Sequence, residues 1–268
     1  MSLVFDYKAT TLLRGLMLGM HKSKQRGTGS DFYKKSSFLD EPDTSRLDLN
    51  ASLTDPFEGL HVKTFRQRSK LDVQIFVDGS SSMLYADKIK HIQQLFDSIH
   101  QSVEAASDHF YGYLMTQSLS TIDSASTLQQ AFSDISPEQN RAESYIKLPQ
   151  VNLPRPSLVF IISDFHWPEK QLEAMMTLLS SHLVVPVVVW SNAEYADYPL
   201  WRFVEVTDLE TGKSRLVFVS RRQKNAIEQR YQQRKHYLNQ QFRRFNQRPF
   251  WLTDHYDPRD MSRYFAMQ

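Results

Sequence analysis

The sequence predicts an α/β fold: a central, mostly parallel sheet flanked by helices, with an N-terminal appendage. Three observations lead there. From Leu71 onward, short apolar runs alternate with segments of helical periodicity. Two of those runs, LVFII (158–162) and LVVPVVVW (183–190), are apolar on both faces, as strands covered by helices on either side must be. With 268 residues, the chain can bury a large core domain and still carry an extension.

Element by element, residues 73–77 form the first core strand. A helix over 87–105 follows, with Ile89, Ile92, Leu95, Phe96, Ile99 and Val103 on one face. HFYGYLM (109–115) is a strand and STLQQAFSDI (126–135) a short helix. After LVFII comes PEKQLEAMMTLLSSH (168–182), a helix with Pro168 in its first turn. In the strand at 183–190, Pro186 argues mildly against full pairing. Residues 201–219 hold a β-hairpin across TDLETGK. Ser220 caps a long helix over 221–245, with Gln223 at the capping-box position. FWLT (250–253) is the last strand, and Asp257 with Pro258 opens a final helix. Before Leu71, the apolar spacing of Ala9, Leu12, Leu13, Leu16, Met17 and Met20 predicts an amphipathic helix over 7–20, and residues 22–70 read as loops with short strands. The predicted division is an appendage over 1–70 and an α/β domain over 71–268.

The chain has no cysteine, which excludes disulfides, thiolate metal sites and a cysteine nucleophile. TLLRGLMLGM (11–20) is too short to span a bilayer and lacks a signal-peptide cleavage pattern, so a cytoplasmic location and no membrane partner are expected. Charge is segregated along the chain. Residues 1–70 hold 12 Lys/Arg against 8 Asp/Glu, residues 71–199 hold 6 against 15, and residues 200–268 hold 14 against 7. An acidic middle between basic flanks suggests different roles or partners for the segments.

The sharpest local feature is FVDGSSSM (76–83), where an apolar strand ends in one carboxylate and three serines. In open α/β sheets, ligands bind beyond the carboxyl ends of strands near the switch point. Asp78 lies just past one such end, and Asp164, in VFIISDF, just past another. Two carboxylates brought together there repel and raise each other's pKa, and a divalent cation relieves that. The hydroxyls of Ser80 and Ser82 complete an oxygen shell suited to magnesium or manganese. The plain alternative is a polar turn at a strand end. The Asp-x-Ser-x-Ser spacing is similar to the metal-ion-dependent adhesion site, or MIDAS, of von Willebrand factor A domains. Such sites add a threonine from another loop. Here Ser144, then Thr127, are the nearest candidates. His166 reads as a loop histidine beside the site.

Other chemistry lacks its motif. There is no Walker A loop, no GxGxxG, no Gly-x-Ser-x-Gly elbow and no HExxH.

Several motifs in order extend the resemblance. RGTGSDF (26–32), EPDTSRLDLNAS (41–52) and HVKTFRQRSKLDVQIFVDGSSSM (61–83), followed by SLVFIISDF (157–165), resemble the bacterial family called domain of unknown function 58. Pro42 stands where that family has glycine, and Leu49 where it has tryptophan. The resemblance implies a von Willebrand factor A-like protein, non-enzymatic, that works beside a MoxR-type AAA+ ATPase in assembly or maturation of other proteins. It also implies that Asp78, Ser80, Ser82 and Asp164 hold Mg2+ or Mn2+ with an open position for an acidic side chain of the partner.

Two alternatives stay open. The helix over 221–245 carries nine Lys/Arg through Arg248 and one acid, Glu228, a possible nucleic-acid footprint. Its stripe of Ile227, Tyr231, Leu238, Phe242 and Phe245 favours a helix that covers the sheet with a solvated basic face. A metal-dependent hydrolase using Asp78 and Asp164 lacks an identifiable general base.

Overall fold

The computed structural model describes residues 3–7, 31–39, 44–57, 59–66, 70–135, 151, 157–195, 199–207 and 214–267. The helix expected over 7–20, most of the RGTGSDF motif and Ser144 lie outside the described residues. The chain divides into two units, residues 17–70 and residues 1–16 with 71–268.

In the smaller unit, strands β1 (Asp31–Ser37) and β2 (His61–Arg66) pair antiparallel. Between them lies the one-turn helix α1 (Leu49–Leu53). Asp48 starts it: its carboxylate accepts from the Ala51 amide at 3.2 Å, which satisfies one of the free donors of the first turn.

The larger unit is built on six strands. These are β3 (Asp72–Asp78), β4 (His109–Met115), β5 (Leu119–Ile122), β6 (Leu158–Ser163), β7 (Leu183–Trp190) and β10 (Phe250–Thr253), in the order β10-β7-β6-β3-β4-β5. All neighbours run parallel except β4 with β5. Counted within this sheet alone, the order is 3-2-1-4-5-6, the doubly wound Rossmann-like order, with one antiparallel edge strand. This is the von Willebrand factor A-like architecture expected. Strand β5 was not anticipated. It is four residues long and exposed on much of its length, so its sequence lacks the apolar run that marks the central strands.

Each central strand is apolar on both faces because it feeds two cores. Val73, Ile75 and Val77 of β3, with Leu158, Phe160 and Ile162 of β6, join one core. Onto it pack helices α2 (Lys88–Ala106) and α3 (Ala125–Ser133) through Ile92, Phe96, Ile99, Leu128 and Phe132. Phe5 and Tyr7 lie in this same core, which is why the start of the chain belongs with the main unit. Phe76, Val159, Ile161 and Val188 face the opposite way, under helix α4 (Glu169–Leu178).

Past β7 come the short helix α5 (Asn192–Tyr195) and the hairpin β8 (Phe203–Thr207) and β9 (Ser214–Phe218). Helix α6 (Arg221–Arg244) starts at Ser220, whose hydroxyl accepts from the Gln223 amide in a capping box. Its stripe is packed as expected, with Leu238 and Phe242 buried in the second core and Tyr231 and Phe245 against it. The last helix, α7 (Pro258–Ala266), is capped by Asp257 and buries Met261, Tyr264 and Phe265 in the first core. Pro186 pairs with Ile161 of β6 and stands one residue before the stretch of β7 that pairs with β10. Helix α4 is shorter than the span 168–182. The chain leaves it through tight turns that bring the His182 amide onto the Leu179 carbonyl at 2.9 Å and lead directly into β7.

Among the described residues no helix is long and apolar enough to cross a membrane.

Candidate functional site

Strands β3 and β6 are neighbours, and chain connections leave them in opposite directions along the sheet, so the switch point lies between their carboxyl ends. The parallel register sets Val77 opposite Ile162. The next residues on each strand, Asp78 and Ser163, therefore meet, and Asp164 follows. Asp78 is wholly buried and Asp164 is 1% exposed. The two carboxylates expected from separate strand ends are thus brought to one place.

Three neighbouring groups donate to Asp78. The Ser80 amide donates to Oδ1 at 2.8 Å. The Ser163 hydroxyl and the Trp167 indole N–H donate to Oδ2, at 2.6 and 3.0 Å. Burial and the nearby charge of Asp164 nevertheless push its pKa up to about 6, against the hydrogen bonds from Ser163 and from the Ser80 side chain and amide. Burial also opposes the charge of Asp164. There, His166, the Lys88 ammonium, the Ser82 hydroxyl and the His166 amide together outweigh it and hold the carboxyl below its ordinary value. The pair is asymmetric: Asp164 has its counter-charges, whereas the donors to Asp78 among the described residues are neutral.

The loop after β3 is shaped by Gly79. Its amide donates to the Met115 carbonyl at 2.8 Å, drawing the chain tightly against β4. A Cβ there would stand 2.7 Å from the Thr116 methyl and 3.0 Å from that carbonyl. A short 3-10 turn then carries Ser81 to Leu84. The Ser80 and Ser82 hydroxyls come within 3.1 Å of each other, side by side as their spacing predicts.

Thr127 is occupied elsewhere. Its hydroxyl and that of Ser124 form the capping box of α3, and it also donates to Asp123 at 2.9 Å. His166 is exposed and contacts Tyr195, with 2.7 Å between Nε2 and the phenol oxygen, while its ring lies parallel to Trp190.

Sequence reasoning missed five members of this site. Ser163 and Trp167 hold Asp78, and the Trp190 indole N–H donates to the Asp164 carbonyl at 2.9 Å. Lys88 and Glu194 are the other two. The ammonium of Lys88, 1% exposed, lies 2.5 Å from Glu194 Oε1, 3.2 Å from the Ser82 carbonyl and 3.5 Å from Asp164 Oδ2. A signal for Lys88 existed: it stands four residues before Ile92, on the apolar stripe of its helix, where a lysine has no ordinary business.

Helix α6 braces the second loop. Arg234 Nη2 donates to the Phe165 carbonyl at 2.6 Å and the Trp167 carbonyl at 3.2 Å. Phe165 has φ of 53°, a left-handed conformation that costs a bulky residue energy and needs such support. Lys235 lies over the Trp251 ring at 4.9 Å, and Arg244 pairs with Glu173 at 3.1 Å. Arg234 and Lys235, part of the basic sequence that reads as a solvated face, are therefore packed against the fold, while Arg244 stays at the surface.

Two carboxylates and two hydroxyls make an all-oxygen donor set, which by type fits magnesium or manganese. Among the described residues no three His, Cys, Asp or Glu side chains form a ready metal cluster. A divalent ion would thus rest on Asp78, Asp164, Ser80 and Ser82 together with ligands from outside.

No family model matches the chain, and neither does any curated protein. Among solved structures it is similar to an aerotolerance-related membrane protein from Bacteroides fragilis NCTC 9343, crystallised with multiple mutations to serines. The TM-score is 0.40 at 13% identity, over 74% of this chain and 97% of that one. It is also similar to the conserved hypothetical protein BatB from Bacteroides thetaiotaomicron, with a TM-score of 0.38 at 12% identity, over 74% of this chain and 100% of the other.

Proposed function

We propose that this chain is a non-enzymatic protein-interaction module that docks a partner at the carboxyl ends of β3 and β6 in a metal-dependent way. The partner class is a MoxR-type AAA+ ATPase, and the pair acts in assembly or maturation of other proteins. One observation supports the role above all. A buried carboxylate pair at the switch point lies beside two hydroxyls spaced to share a ligand, and among the described residues the groups that donate to Asp78 are neutral.

Bound there, magnesium or manganese would neutralise the pair and leave a coordination position for a carboxylate of the partner. The chain's own residues supply rigidity. Ser163 and Trp167 hold one oxygen of the Asp78 carboxylate, and the Ser80 amide holds the other. Arg234 and Trp190 hold the loop that carries Asp164. The ATPase would supply the energy of remodelling and this chain the address.

Thermal unfolding under magnesium titration tests the metal half of this role. The wild type should gain stability as magnesium is raised well past the millimolar range, as weak binding to the isolated chain requires. Asp78→Ala should gain none, and the milder Ser82→Ala should gain less than the wild type. Equal gains in all three would refute metal binding at this site.

A further inference from the structure

We infer that Lys88 is the resident cation of this site and antagonises the divalent ion, so that metal and partner bind well only together. The inference presupposes the metal-docking role and adds a regulator to it.

Lys88 is the first residue of the 19-residue helix α2, on the stripe that also carries Ile92, Leu95 and Ile99. Its position is costly twice over. A buried ammonium loses its hydration, and a helix N-terminus repels positive charge. The fold offsets this with three acceptors for its three N–H groups: Glu194 Oε1, the Ser82 carbonyl and Asp164 Oδ2. Two of these belong to the candidate metal site itself. The Ser82 carbonyl is on the loop that presents the hydroxyls, and Asp164 is one of the two carboxylates. Glu194 reaches in from α5, at the end of β7, and contributes the closest contact. An internal positive charge is thus built into the switch point from three different elements.

The consequence is electrostatic. Like charges a few ångströms apart in a poorly solvated site repel strongly, so the ammonium lowers the attraction of the carboxylates for a second cation. It also keeps the loop in place without any metal, because the Ser82 carbonyl is already anchored. A divalent ion then binds weakly to the isolated chain. The negative charge of a docked partner's side chain restores the missing attraction, which couples the two binding events. Lys88 sets the affinity at which docking becomes metal-dependent.

Calorimetric titration of Mg2+ and Mn2+ into the wild type, Lys88→Met and Lys88→Arg tests this. Removing the charge should tighten divalent binding by about tenfold or more, while Lys88→Arg should stay within about threefold of the wild type. Metal-free Lys88→Met should also melt below the wild type and recover when Mg2+ is added. Lys88→Gln, which retains a donor for the Ser82 carbonyl, gives the same comparison if the methionine variant does not fold. If the neutral variants bind no tighter than a wild type that does bind, Lys88 is no antagonist and metal docking stands without it. If neither wild type nor variants bind either ion, the metal role falls and this inference with it.

Discussion

Ser163 and Asp78, 85 residues apart in sequence, are joined by a 2.6 Å hydrogen bond between the ends of the two central strands. The hydroxyl donates to the carboxylate and in turn accepts from the Phe165 amide at 2.9 Å. One side chain thus holds Asp78 and shapes the loop that carries Asp164. Ser163→Ala should destabilise the protein by about 1–3 kcal/mol at neutral pH, where Asp78 is ionised, because a buried charge loses a donor. Urea unfolding at pH 8 and pH 5 measures this, and the loss should be smaller at pH 5, where Asp78 is protonated.

Gly79 is required by space. A methyl group there meets the Thr116 side chain and the Met115 carbonyl, and the carbonyl is held in the β4 backbone. Gly79→Ala should cost about 1–3 kcal/mol. Any gain from magnesium should also shrink, because the serines that follow are displaced with the loop. A variant as stable as the wild type would show that the loop has slack.

Arg234 should act as a brace and not as a surface cation. Arg234→Met keeps much of the apolar stem but releases the Phe165 and Trp167 carbonyls, leaving a left-handed Phe165 held by its Ser163 contact without the guanidinium. A loss of about 2 kcal/mol is expected, measured by chemical denaturation. Neutralising Arg222 on the exposed first turn of α6 should change stability by less than about 0.5 kcal/mol.

His182 gives the fold a mild acid sensitivity. Its Nδ1 accepts from the Ser157 amide at 3.1 Å, clipping the start of β6 to the entry of β7, and burial lowers the pKa of the ring. The folded ring stays neutral while the unfolded one takes a proton near pH 6.5. Stability from this residue is therefore full above that pH and is lost as pH falls below it. His182→Gln, which retains an acceptor, should lose less stability than the wild type between pH 7.5 and 5.5, by up to about 1 kcal/mol. Parallel urea midpoints at the two pH values decide it.

Much of the sheet was legible because its strands are apolar on both faces and end in polar punctuation. The strands at 109–115, 183–190 and 250–253 have the bounds read from their sequence. Asp78, Ser80, Ser82 and Asp164 were legible for the same reason, as polar residues where an apolar run stops. What could not be read are groups whose meaning depends on tertiary neighbours. Ser163 and Trp190 are strand residues like any other until the register places them beside carboxylates. Trp167 and Arg234 act through one indole N–H and one guanidinium nitrogen, which no local pattern marks. Lys88 left a trace, a lysine on an apolar stripe, but its partner Glu194 comes from a four-residue helix with no periodicity to find.

The most direct test of the central claim is co-elution of this chain with a MoxR-type ATPase from the same genome, run in magnesium and again in EDTA. A complex that forms in magnesium, dissociates in EDTA and fails with the Ser80→Ala/Ser82→Ala pair is the predicted result. A complex indifferent to EDTA and to both serines would contradict metal-dependent docking at the β3 and β6 ends.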